Sequence, residues 1–139
     1  MWIFYALLSA LTAALVAIFA KLGLKHLDST LAATIRGVIA VLFLVAVSLF
    51  LGKFEGFSAS SLSSREWILI TLAGISGALS WLFYFVALQK GAATDVVAID
   101  KLSIVFVVLL AAIFLSEGLE WKSLTGAVLV VGGAILIAL

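Results

Sequence analysis

From Trp67 to Gln89 the chain carries no charged side chain, a run of 23 residues rich in Leu, Ile, Phe and Ala. A helix of that length rises ~1.5 Å per residue and so covers a hydrocarbon core ~30 Å thick. Such a run needs either lipid around it or a large protein built over it. The second option fails on size and composition, because 66% of the 139 residues are hydrophobic and 11% are charged. A water-soluble domain carries roughly a quarter of its residues charged. The mean hydropathy of +1.41 fits a chain whose surface faces lipid.

Charged residues cut the remainder into similar blocks. The first runs from Trp2 to Ala20, followed by Lys21, Lys25, His26 and Asp28; it has no basic stretch before it and no A-x-A site after it, so it reads as a retained helix rather than a cleaved leader. The second runs from about Thr30 to Leu51 if Arg36 is admitted to the membrane. The longest connection, Gly52 to Glu66, holds Lys53, Glu55, five serines and Arg65. The fourth block requires Asp100 and Lys101 to lie within a helix, because Leu102 to Ser116 alone is too short to cross. The expected fold is an all-α integral membrane bundle in a single domain, with helices at about 2–21, 30–51, 67–89, 95–116 and 121–139. Trp2, Trp67 and Trp121 fall at expected helix starts, where indole rings favour the membrane–water interface.

Five spans would put the termini on opposite sides. Lys53, Arg65 and Lys122 then face Lys21, Lys25 and Lys90 across the membrane, three loop bases against three, so the positive-inside rule selects no orientation and dual topology is allowed. Several function classes drop out. The net charge of +1 comes from scattered residues, which gives no basic face for nucleic acid. There is no cysteine, and His26 has no companion at metal-ligand spacing, so no metal or cofactor is expected. Neither a nucleophile elbow, an H-E-x-x-H motif nor a Walker loop is present, which argues against an enzyme and against ATP-driven transport.

The order of motifs resembles a known family. The run Gly74-Ile-Ser-Gly-Ala-Leu-Ser-Trp-Leu-Phe-Tyr-Phe-Val-Ala-Leu88, then Gly91-Ala-Ala through to Phe114-Leu-Ser-Glu117, and Leu124-Thr-Gly126 with Gly132-Gly133, is similar to the EamA-type repeat of the drug/metabolite transporter superfamily. Ala20-Lys21 and Gly23 extend the resemblance over nearly the whole chain. It departs from the pattern in having Ile104 where many repeats place proline. Most relatives carry two inverted repeats; this chain resembles the single-repeat, five-helix bacterial and archaeal branch. The resemblance implies secondary transport of a small-molecule metabolite across the cytoplasmic membrane. Inverted-repeat transporters hold their solute near the midplane between repeats, so one repeat offers half a site and a homodimer, possibly antiparallel, is implied. A non-transporting accessory or assembly subunit and a channel-like uniporter are the competing readings.

Candidate solute-binding residues are those that a lipid-facing helix would not choose. Arg36 lies about six residues into the second expected helix and Asp100 about five into the fourth, roughly 8–9 Å deep at 1.5 Å per residue. In the functional reading, Asp100 takes a cationic group or a coupling proton, while Arg36 or Lys101 takes an anionic one. In the structural reading, Arg36 and Lys101 snorkel to the headgroups, a route too long for Asp100. Trp81 and Tyr84, with Phe85, share a helix face that would form a wall against an organic solute or simply pack. Tyr5 and Ser9, with Thr12, make a polar stripe that faces the path or bonds to neighbouring helices. Gly74 with Ala78, and less clearly Gly126, Gly132 and Gly133, are read as positions of close helix packing. Asp95 is read as a first-turn carboxylate facing the helix dipole.

Overall fold

A computed structural model describes residues 1–58, 61–115, 118 and 120–139. Its helices are α1 (Trp2–Gly23), α2 (Ser29–Phe50), α3 (Ser64–Lys90), α4 (Ala93–Asp100), α5 (Ser103–Phe114) and α6 (Trp121–Ala138), with no strand among the described residues. Taken with α4 and α5 as one span, five segments are long and apolar enough to cross a membrane. The all-helical membrane architecture expected from the charge-free runs is the one observed. Large apolar side chains point outward along every span: Phe50 is 91% exposed and Leu136 80%. In water that surface would drive aggregation; in lipid it is solvated, and helices satisfy their own backbone polar groups.

Local chemistry sets the helix ends. Asp28 caps α2, its Oδ1 accepting from the backbone N–H of Thr30 at 2.9 Å and Leu31 at 3.0 Å. At the other end Gly52, with φ of 63°, adopts the left-handed conformation. The Lys53 N–H then donates to the Ser48 carbonyl and the Gly52 N–H to the Leu49 carbonyl, the two bonds of a Schellman motif. Helix α3 starts at Ser64, ahead of the charge-free run, because Ser63 and Glu66 form a capping box. The Ser63 N–H donates to Glu66 Oε2 at 2.8 Å and the Glu66 N–H to Ser63 Oγ at 3.3 Å.

The fourth span differs from an unbroken helix over 95–116. It is interrupted at Lys101 and Leu102, whose ψ angles of -11° and -18° are those of a tight turn. Four bonds between residues three apart carry the turn: Lys101 N–H to Ala98, Leu102 N–H to Ile99, Ile104 N–H to Lys101 and Val105 N–H to Leu102. The absent proline is therefore not needed for an interruption at this level.

Two compact units make up the chain, residues 1–22 with 90–139, and residues 23–89. In the first, α6 packs against both α4 and α5. Ala98 of α4 and Ala127 and Ala134 of α6 are buried there, small side chains of the kind that let membrane helices approach. The Lys21 Nζ at the end of α1 donates to the Gly91 carbonyl just before α4, at 2.6 Å. The second unit is α2 and α3 with their connections, where Gln89 Nε2 donates to the Leu27 carbonyl at 3.3 Å.

The glycine expectation is corrected. A Cβ added at Gly74, Gly126, Gly132 or Gly133 would meet nothing within 4 Å, so these positions do not mark close helix contacts within the chain. On α6 that role falls to buried alanines instead.

Candidate solute-binding site

In the 23–89 unit, α2 and α3 enclose a groove of about 750 Å³. Its α2 wall includes Thr30, Thr34 and Gly37, and its α3 wall Gly74, Ala78 and Trp81. The spacing explains the composition: Thr30, Thr34 and Gly37 lie at i, i+4 and i+7, and Gly74, Ala78 and Trp81 follow the same period, so each set shares one helical face. Small side chains on both faces leave the space open. The Thr34 hydroxyl donates to the Thr30 carbonyl at 2.9 Å, which turns that polar group back onto its own helix and leaves the wall largely apolar.

Trp81 belongs to two features at once. It lines the groove, and its ring carries the Arg36 guanidinium at 4.1 Å from the ring centroid. Phe85, one turn further along α3 and 4% exposed, is 5.8 Å from the same guanidinium. Tyr84 lies beside Phe85, with ring centroids 6.5 Å apart. A cation over aromatic faces is attracted by their quadrupoles, and the attraction grows when water is excluded. Ring faces do not, however, accept five N–H donors. The Arg36 Nη1 is buried and has no hydrogen-bond partner.

The remaining candidates occupy the other unit. Asp100 closes α4 and Lys101 caps it, with Lys101 Nζ 3.6 Å from Asp100 Oδ2. The two side chains are 40% and 51% exposed, so this is a pair of neighbours that neutralise each other at the interrupted turn. Asp95 stands in the first turn of α4, its Oδ1 accepting from the Thr94 hydroxyl at 2.9 Å. On α1, Tyr5 and Ser9 are exposed; Tyr5 meets Phe4 edge-on at 5.7 Å. The Thr12 hydroxyl donates to the Leu8 and Ser9 carbonyls, so that member of the stripe bonds its own backbone. His26 is exposed in the connection before α2, and no cluster of metal-ligating side chains occurs among the described residues. Glu117, the family-matched glutamate, lies outside the described residues.

The structure thus joins Arg36 to Trp81 and Phe85, and Asp100 to Lys101. Thr30, Thr34 and Gly37 are lining residues that the sequence reading passed over. Their signal was present as small or hydroxylated residues at one-turn spacing beside an intramembrane arginine.

Spans of this length and apolarity, one carrying a charged side chain against an aromatic wall, define a multi-pass membrane protein. The chain belongs to the EamA-like transporter family, which it matches over residues 1–139. It is 39% identical over 137 residues to an uncharacterized transporter in the cobO 3′ region of Sinorhizobium sp., covering 99% of this chain and 96% of that protein. No solved structure matches it. The protein is accordingly a membrane transporter of EamA type.

Proposed function

We propose that the protein is a secondary transporter that moves a small organic metabolite across the cytoplasmic membrane by alternating access, working as a homodimer. The observation that carries this reading is Arg36. Placing a charge within a membrane-spanning helix costs several kcal/mol, on the order of 3 kcal/mol or more near the bilayer centre, and such residues mark solute and ion pathways. Here the cost is met by two ring faces beside an open groove rather than by a carboxylate.

In this reading Arg36, Trp81 and Tyr84 contact the solute in the 23–89 unit, and Asp100, Lys101, Tyr5 and Ser9 are the candidate solute contacts of the other unit. One chain supplies a single repeat of five spans. The open space at Gly126, Gly132 and Gly133 of α6 supports a second copy completing the assembly, since small residues along a membrane helix admit close approach by another. The test is flux in proteoliposomes over a metabolite panel, with crosslinking to report the oligomer. Saturable, competable uptake by a dimeric species supports the proposal. Uptake absent for every solute, in protein that inserts and remains monodisperse, would replace it with an accessory role.

A further inference from the structure

We propose that Arg36 and Trp81 form an oxyanion subsite, so that the transported solute is an organic anion whose carboxylate or phosphate pairs with the guanidinium while its apolar part enters the groove between α2 and α3. The inference rests on the transport reading above and narrows its substrate class.

Three observations converge. First, the guanidinium lies over Trp81 at 4.1 Å and Phe85 at 5.8 Å, rings that attract its charge but offer its N–H groups no lone-pair acceptor. Second, one of those donors, Nη1, is buried with no acceptor. Buried polar groups in folded proteins are nearly always satisfied, so a fixed donor without a partner marks the place of an acceptor that arrives from outside the chain. Third, the counter-charge is missing. Among the described residues the ion pair is Lys101 with Asp100, so Arg36 has no carboxylate of its own. Of the three carboxylates in the same unit, Asp28 is occupied in capping α2, Glu66 in the box with Ser63, and Glu55 lies against Gly52 beyond the end of α2.

An arginine in this state matches a planar oxyanion through two parallel N–H···O bonds, a geometry that a lysine does not reproduce. The adjoining groove has the character of the other half of such a solute. It is apolar, about 750 Å³ in volume, and edged by the same Trp81 that positions the guanidinium. A small amphiphilic anion is therefore gripped at its charged end and accommodated at its apolar end. A cationic solute would meet Arg36 as a like charge in a medium of low dielectric and be rejected.

Phosphate oxygens also come from lipid headgroups, and the experiment separates the two sources. The chain has four tryptophans. In a W2F/W67F/W121F background Trp81 is the sole indole, and its fluorescence reports on the subsite in maltoside micelles. Titration with benzoate, benzamide, benzylamine and inorganic phosphate compares charge at nearly constant shape, and phosphatidylglycerol is titrated as the lipid arm. The expected result is a saturable benzoate response, absent for benzamide and benzylamine, weakened about tenfold in Arg36→Lys, which keeps the charge but loses the fork, and lost in Arg36→Gln. Circular dichroism and gel filtration verify that both variants fold, and Arg36→Lys keeps the test decisive if Arg36→Gln does not.

A response to benzylamine equal to that of benzoate, no saturable benzoate response at millimolar concentration, or a response to phosphatidylglycerol alone overturns the proposal. Anion binding without any flux would sink the transport reading and leave the subsite standing. Saturable flux of a cation that survives Arg36→Gln would do the reverse.

Discussion

The Lys21 ammonium donates to the carbonyl oxygen of Gly91 at 2.6 Å, joining the end of α1 to the short connection that opens α4. By charge alone Lys21 reads as the first residue of a solvated loop. Its bond instead satisfies a backbone acceptor in a partly buried position, and hydrogen bonds from charged donors are worth about 1.5–3 kcal/mol. Lys21→Met keeps the length of the stem and removes the donor. It is expected to lower stability by about 1–2 kcal/mol, because the site is only partly buried. Thermal unfolding in detergent measures this. Lys21→Arg should recover most of the loss, and an unshifted melting temperature in Lys21→Met would show that the bond contributes nothing.

Gly74 tests whether the groove has a tenant. A Cβ there would meet nothing within 4 Å, so Gly74→Ala should be tolerated by the isolated chain. It should even gain up to about 1 kcal/mol from the better helix propensity of alanine. Gly74→Leu should likewise fold and insert, yet fill part of the groove and weaken the benzoate response at Trp81 roughly tenfold, about 1.4 kcal/mol, with the oligomeric state unchanged. Indole fluorescence reads the binding and multi-angle light scattering the oligomer. A leucine variant that binds benzoate as the parent does would show that the groove does not take the apolar end of the solute.

How much of this was legible in the sequence depends on which solvent dictated it. Lipid demands long charge-free runs, so the spans were readable from where Lys, Arg, Asp and Glu stop. The same rule blurred the helix ends, because it treats every polar residue as loop. Glu66 is charged and also satisfies the Ser63 N–H, which brings the start of α3 forward to Ser64. The interruption at Lys101 and Leu102 left no mark at all, since neither glycine nor proline produces it. At the site, periodicity showed that Trp81, Tyr84 and Phe85 share a face. It did not show that Arg36 of α2 lies over that face, because a helical period specifies neighbours along one helix and not the helix opposite.

Asp100 separates transport from mere packing. It sits 3.6 Å from Lys101, so Asp100→Asn leaves an uncompensated ammonium at the turn between α4 and α5. Both side chains are substantially exposed, and Lys101 has the length to reach a headgroup region, so insertion and folding should survive. If Asp100 handles a coupling proton or a charged group of the solute, uptake into proteoliposomes should fall by roughly tenfold or more, a change of at least ~1.4 kcal/mol in the limiting step. Equal flux in parent and Asp100→Asn protein would confine the residue to neutralising its neighbour.

The turn at Lys101 and Leu102 makes a prediction about proline. Ile104 is the second residue of α5, and its N–H donates to the Lys101 carbonyl within the tight turn at 3.1 Å. Proline there forfeits that one bond, and in the first turn of a helix its fixed φ is compatible with the backbone. Ile104→Pro should therefore cost about 1 kcal/mol. Val107→Pro, a full turn into α5, removes a regular helical bond and sets the ring against the preceding turn, at a cost of ~3 kcal/mol. The difference between the two melting temperatures is the measurement, with helical content by circular dichroism as the control. Similar losses for both would mean that α4 and α5 behave as one continuous helix. A mild effect at Ile104 alone would show that this chain reaches, with isoleucine and four tight backbone bonds, an interruption that proline could equally accompany.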